Sequence, residues 1–370
     1  MRCSSRRGWP PPSDFVRLTI VISSLGGGGA QRAAVNVANG FVEAGRAVTI
    51  ATLYHGSVAP AFALDARVVH VDGGFGSREN RGEAALLADI REFVLRTRPD
   101  VVLSLVDQMN IRVANAMRGS GVPLFVWEQI DARPIPSAEW EEARREAYAN
   151  AVAGVIALTE EDARYFGAGT HVVFNPVRSR GLAVSGSRGR EPLIAGAGRL
   201  EEQKGFDILI SAFARVASAH PSWNVVILGE GRERETLTFR ARELGIADRV
   251  SMPGFTSDPE GVFARAAIFA MPSRREGFPN ALLEAMACGA APIVSDCAPG
   301  MSEIVRDGVD GLVVPAYVVT PFAEGLERLM REESERVRFG ERAREVVTRF
   351  SAEEAVARLD RIFEAAAKPS

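Results

Sequence analysis

Short β-branched runs alternate with helical stretches along most of this chain, and that alternation constrains the fold more than any other feature. RLTIVIS, from Arg17, is an apolar run; a glycine-rich turn, LGGGGA, follows; QRAAVNVANGFVEAG (31–45) has helical apolar spacing and ends at Gly45. RAVTIATLY, DVVLSLV (100–106), PLFVWE (123–128), GVIALT (154–159) and HVVFNP (171–176) read as further strands, with helical patterns such as EAALLADIREFVLRTR (83–98) between them. Strands that alternate with helices form parallel α/β sheets, because each crossover needs a helix-length connection. The pattern breaks once, at VRSRGLAVSGSRGRE (177–191), which is rich in Gly, Ser and Arg and has no period. It restarts with PLIAGAG and continues through NVVILGEG, RVSMPGF, AIFAMPS and APIVSDC, each followed by a helical stretch. The expected organisation is therefore a leader (1–14), a Rossmann-like domain (15–176), a linker (177–191), a second Rossmann-like domain (192–345) and a carboxyl-terminal helix (346–370) that packs back on the first domain.

Composition removes several classes of function. The chain has 370 residues, enough for two domains, and a net charge of −3, without the basic surplus of a nucleic-acid binder. Its three cysteines (Cys3, Cys288, Cys297) form no CxxC pair, and its four histidines are scattered, so neither a disulfide framework nor a zinc site is expected. The leader MRCSSRRGWPPPSD lacks the apolar stretch of a signal peptide, and no run of about 18 apolar residues suggests a membrane span.

Three segments carry chemistry. In EGFPNALLEAMACG (276–289), Pro279 and Asn280 start a short helix, with Asn280 as the expected cap, and Gly289 ends it. A helix N-terminus attracts phosphate, so Glu276 and Glu284 make sense there as acceptors for hydroxyls on either side of a phosphate. In AGAGRLEEQKGFD (195–207), Arg199 and Lys204 flank a turn at the end of a strand, where two cations offset a diphosphate. In LGGGGAQR (25–32), consecutive glycines let backbone approach a ligand, while the next strand ends TLYHG without the acid a dinucleotide site requires. Taken singly, each segment also reads as a capped helix, a solvated loop or a tight turn.

Together they resemble a family. EGFPNALLE resembles the E-x7-E signature of family 4 retaining glycosyltransferases of the GT-B fold, and GRLEEQKGFD its G-R-L-x-x-x-K-G-x-D segment. LGGGGAQR looks like its glycine loop, and residues 271–314 resemble its carboxyl-domain core almost end to end. The resemblance implies two Rossmann-like doubly wound domains facing across a cleft. It implies that Arg199 and Lys204 neutralise the diphosphate of a nucleotide-sugar donor and that Glu276 binds hydroxyls of the transferred sugar. Gly277, Phe278, Asn280 and Ala281 would lie along sugar and phosphates, and Glu284 would hold the ribose. Pro253 and Gly254 would contact the base, Glu230 and Gly231 would line the pocket, and Gly28 and Gly29 would meet the phosphate. Two departures stand out. Gln31 replaces the usual acid of the glycine loop, and no histidine sits near the strand end where many members carry one. WEQIDARP (127–134) instead resembles a subgroup pattern, which makes Glu128 and Asp131 candidates for sugar or acceptor contacts.

The implied activity is retaining transfer of a hexosyl or N-acetylhexosaminyl group from a nucleotide sugar to a saccharide or lipid-linked acceptor in polysaccharide or glycolipid synthesis. No DxD-like acidic pair stands at a strand end, so neither a metal nor a cofactor is expected. The resemblance further implies cytoplasmic work with peripheral contact at the inner face of the plasma membrane, and no nucleic-acid partner. An epimerase of the same fold would want a histidine at the reacting carbon; a non-catalytic nucleotide-sugar-binding protein need not keep Arg199, Lys204, Glu276 and Glu284 together.

Overall fold

A computed structural model describes residues 17–54, 60–75, 82–129, 137–177, 189–298 and 300–367. The chain divides into two units, Met1–Pro176 with Ala352–Ser370, and Val177–Ser351. Most of the segment read as a linker, 178–188, lies outside the described residues.

The first unit is built on seven strands: β1 (Arg17–Ile22), β2 (Ala47–Thr52), β3 (Val69–Asp72), β4 (Val101–Leu105), β5 (Leu124–Trp127), β6 (Gly154–Ala157) and β7 (His171–Val172). They pair in parallel in the order β3-β2-β1-β4-β5-β6-β7. Every residue of β4 and β5 is buried, as expected for central strands covered on both faces. The order reverses between β1 and β4, the switch point where α/β sheets place ligands beyond their carboxyl ends.

The terminal helix Ala352–Ala367 completes this unit rather than the one that precedes it in sequence. Its Phe363 stacks on Phe41 at 6.0 Å and meets Phe125 at 5.0 Å between ring centres. Arg46, with a side chain only 3% exposed, donates to Asp360 at 2.6 Å and to Glu364 at 2.9 Å on the same helix. A buried guanidinium needs such partners, because its desolvation is not otherwise offset.

The second unit has six strands: β8 (Glu191–Ala197), β9 (Asn224–Leu228), β10 (Val250–Gly254), β11 (Ala266–Met271), β12 (Ala291–Asp296) and β13 (Leu312–Pro315). Their order is β10-β9-β8-β11-β12-β13, again parallel, with the switch point between β8 and β11. One face is covered by the helices Phe206–Val216 and Val319–Arg331, whose Phe213, Phe322 and Leu326 are fully buried. Both sheets are thus doubly wound Rossmann-like sheets, the fold class the alternation implied.

Candidate functional site

The carboxyl ends of four neighbouring strands, β10, β9, β8 and β11, carry the residues singled out in the second unit. Backbone bonds stitch their loops together. Gly198 N donates to Leu228 O and Gly229 N to Gly254 O, both at 2.9 Å, and Leu200 N donates to Glu230 O at 2.8 Å. The approach is so close that a side chain at Gly229 or Gly231 would meet backbone: an added Cβ would lie 2.0 Å from Gly198 O or 2.3 Å from Leu200 O. Glycine is required there because two loops occupy one layer.

Lys204 and Glu276 meet at the centre. Lys204 Nζ lies 2.7 Å from Glu276 Oε1 and 2.9 Å from Oε2, and Ser273 Oγ donates to Oε1 at 2.6 Å. The acid is buried, with a side chain 7% exposed, and the lysine side chain is 21% exposed. Burial pushes the nearby Cys297 thiol up to about 12, and the Glu276 carboxylate pushes in the same direction. Cys297 is therefore a neutral thiol at neutral pH, not a nucleophile. Arg199 is not part of this contact: it is exposed and pairs with Glu201 at 3.2 Å.

The helix Asn280–Cys288 starts directly after this cluster. Pro279 occupies the cap position and makes no side-chain cap bond; Asn280, expected as the cap, is the first helical residue, so the helix starts one position earlier than the sequence suggested. Leu282 and Leu283 N–H donate to the Pro279 carbonyl at 3.1 and 3.3 Å, closing the first turn. Gly289 ends the helix at φ 82°. Phe278 anchors the entry, packed edge-on against Phe350 at 5.7 Å. Gly277, Asn280, Ala281 and Glu284 are partly exposed, so this turn presents a surface rather than a core.

At the β9 and β10 ends, Glu230 is engaged by a residue the sequence reading missed. Arg234 forks onto both Glu230 oxygens at 2.8 Å and also donates to the carbonyls of Met252 and Gly229. It thereby ties Glu230 to the strand that ends in Pro253 and Gly254; an added Cβ at Gly254 (φ 96°) would lie 2.5 Å from Glu230 Oε1. Glu230 lies in the loop before the helix that Arg234 begins, so no helical spacing marked the pair; opposite charges four residues apart were the available signal. A groove of about 410 Å³ on this sheet touches the set only at Pro253 and holds neither its cations nor its acids.

A second missed pair is Arg274 and Asp207. Arg274 Nη1 and Nη2 each bond one Asp207 oxygen at 2.8 Å. Burial raises the Asp207 carboxyl, but this bidentate bond outweighs it and holds the group below its ordinary range. A depressed carboxyl stabilises the fold fully above its unfolded value, about 4, and loses that contribution as pH falls through the folded value. Asp207→Asn is expected to flatten the loss of unfolding free energy between about pH 5 and pH 3. Denaturant titrations across that range check this; a variant curve parallel to the wild type would refute it.

In the first unit, Gly28 and Gly29 stand at the start of the helix Gly29–Glu43, beyond the end of β1. Glu128, at the end of β5, is 2% exposed, bonded to the Tyr148 hydroxyl and to Asn110 Nδ2 at 3.2 Å. Its described partners are structural ones, which favours a bracing role for a strand end. Asp131 lies outside the described residues. Among the described residues no cluster of three His, Cys, Asp or Glu is placed to hold a metal ion, and no helix is long and apolar enough to cross a membrane.

Residues 179–346 match the family model of glycosyl transferases group 1. That span is essentially the second unit, with the Lys204–Glu276 pair inside it. Over 166 residues the chain is 37% identical to an exopolysaccharide phosphotransferase of Streptomyces coelicolor, covering 45% of this chain and 18% of that protein. Over 163 residues it is 36% identical to the lipopolysaccharide core biosynthesis glycosyltransferase LpsE of Rhizobium meliloti, covering 44% of this chain and 46% of that one. The chain thus spans less than half the length of either relative. A Campylobacter jejuni N-acetyl-D-galactosaminyltransferase, named for a PP-undecaprenol-linked saccharide, is 24% identical over 332 residues, covering 86% of this chain and 90% of its own. Among solved structures, Staphylococcus aureus TarM superimposes with a TM-score of 0.80 at 12% identity, covering 94% of this chain and all of that one. That likeness establishes the fold class, GT-B, and nothing finer.

Proposed function

We propose that this protein is a retaining family 4 glycosyltransferase. It moves a hexosyl or N-acetylhexosaminyl group from a nucleoside-diphosphate sugar to a saccharide or lipid-linked acceptor in polysaccharide or glycolipid synthesis. The observation that carries the reading is the contact of Lys204 with buried Glu276 directly before an uncapped helix N-terminus. An ammonium has three N–H donors; Glu276 engages it on one side, and a donor remains for a phosphate oxygen. The helix start adds about half a positive charge aimed the same way. Glu276, an acceptor, takes hydroxyls of the sugar, Glu284 takes the ribose, and Arg199, exposed and paired with neighbouring Glu201, turns to the diphosphate. Relatives named for lipopolysaccharide and PP-undecaprenol saccharides support the acceptor class.

In this reading the bond between the sugar's anomeric carbon and the diphosphate oxygen breaks, and its electron pair leaves with the oxygen. The acceptor oxygen bonds the same face of the carbon, and its proton passes to the departing phosphate oxygen. The transition state is oxocarbenium-like. The protein supplies charge and position rather than a nucleophile. Its two cations and the helix start offset the diphosphate charge without a metal. Work in the cytoplasm, with peripheral contact at the inner membrane face, fits such an acceptor.

A panel of nucleotide sugars tests this. One donor is expected to raise the melting temperature by about 5–10 °C at 100-fold over its Kd, equally with and without EDTA. Labelled sugar is expected to appear on an acceptor with its anomeric configuration kept. If no nucleotide shifts the melt, the reading fails. Interconversion of the donor without any acceptor would mark an epimerase, and binding without turnover a non-catalytic protein.

A further inference from the structure

On the outer side of the Lys204–Glu276 pair, the two loops that carry it are locked to one another. The turn after β8 contributes Glu202, Gln203 and Gly205, and the helix it leads into contributes Asp207; the loop after β11 contributes Pro272, Arg274 and Arg275. Arg274 N donates to Gln203 O at 2.8 Å, and Gln203 Nε2 donates to Arg275 O at 3.0 Å. The Arg274 guanidinium spans Asp207 and the Glu202 carbonyl, the latter at 2.7 Å. Gly205 lies so close that a Cβ on it would stand 2.1 Å from Pro272 O. A third element holds the far side: Tyr317 donates its hydroxyl to Arg274 O at 2.9 Å from a left-handed backbone, φ 67°. A non-glycine residue keeps such a conformation only where its surroundings compel it.

Lys204 stands between Gln203 and Gly205, and Glu276 directly follows Arg275. Every bond in this lock therefore acts within two residues of one member of the pair. Lys204 and Glu276 are both long side chains, and on free loops their heads would sample many separations. The lock removes that freedom from the backbone beneath them. A bidentate Arg–carboxylate bond is suited to the task, because it fixes an angle as well as a distance.

We propose that Arg274, clasped by Asp207, is a positioning residue that sets the separation of Lys204 and Glu276, so that diphosphate and sugar are gripped as one ligand. This rests on the donor-site reading above. Arg274 touches neither group itself. Its loss is expected to weaken the coupling between the two halves of the donor more than it weakens either half alone.

The test compares a free nucleoside diphosphate with its sugar conjugate by calorimetry: UDP with UDP-glucose and UDP-N-acetylglucosamine, and GDP with GDP-mannose. In the wild type one conjugate binds more tightly than its bare nucleotide. Arg274→Ala and Arg274→Lys are expected to cut that ratio at least fivefold, with a smaller loss for the bare nucleotide. The exchange D207R/R274D is expected to restore at least half of it. Melting temperatures, read in parallel, separate unfolding from positioning. If the ratio in Arg274→Lys equals the wild type while the melting temperature falls, the pair is only structural and the inference is overturned. If the wild type binds none of these probes, the donor-site reading itself falls, and this inference with it.

Discussion

Lys204→Ala is expected to abolish the donor-induced thermal shift and to lower donor turnover by about 10²–10³-fold, the effect of removing one charge that stabilises a leaving group. It also strands Glu276, which is 7% exposed and would keep Ser273 as its described partner. Breaking a buried ion pair on one side costs about 3–5 kcal/mol; the partial exposure of Lys204 places this case near 3. At about 2–4 °C per kcal/mol, the melt falls by roughly 6–12 °C. The double variant K204A/E276Q removes the stranded charge, so its stability is expected to recover while its turnover does not. That split separates the structural part of the pair from its chemistry. Turnover by Lys204→Ala within a factor of three of the wild type would show that no diphosphate rests on this lysine.

Gly205→Ala is expected to be, with Gly229→Ala, among the most damaging single methyl additions in the second unit. Gly205 sits at φ 65° between the turn Glu202–Lys204 and the helix Phe206–Val216. A left-handed conformation costs an alanine about 1–2 kcal/mol. The Cβ would also stand 2.1 Å from Pro272 O, a backbone atom that moves only if the loop moves. The combined loss is about 3 kcal/mol, a fall of roughly 6–12 °C. Because the clash drives apart the loops that carry Lys204 and Glu276, donor affinity falls with stability. Gly245→Ala is the control: its φ is 69°, but nothing lies within 4 Å of an added Cβ. It is expected to cost about 1 kcal/mol through strain alone and to leave donor binding intact. Equal melting temperatures for the two variants would show that the loop contact contributes nothing.

The strands legible in the sequence and those that were not differ physically. β1, β4, β5 and β11 are central, buried over nearly all their length, and announce themselves as continuous apolar runs, as does the buried middle of β8. β3 and β13 are edge strands of four residues each, and neither stood out. Val69, His70 and Asp72 are exposed, and β13 is only half covered, so neither strand carries a clear period. Glu128 is legible in one respect only. Its motif suggests a ligand contact, and only the tertiary structure shows it buried beside Tyr148 and Asn110.

The carboxyl edge of the second sheet was legible because its glycines, its helix start and its charged side chains are properties of short segments. Strand–turn–helix order alone brings such segments to one edge. Their partners were not legible: Lys204 bonds Glu276 across 72 residues, and Arg274 bonds Asp207 across 67. A surface charge and a buried, paired one look alike in a chain whose residues are one-quarter charged. Local order decides where a group can stand. Which opposite charge it meets depends on the layering of distant loops, where desolvation forces each buried ion onto the partner that packing has placed within reach.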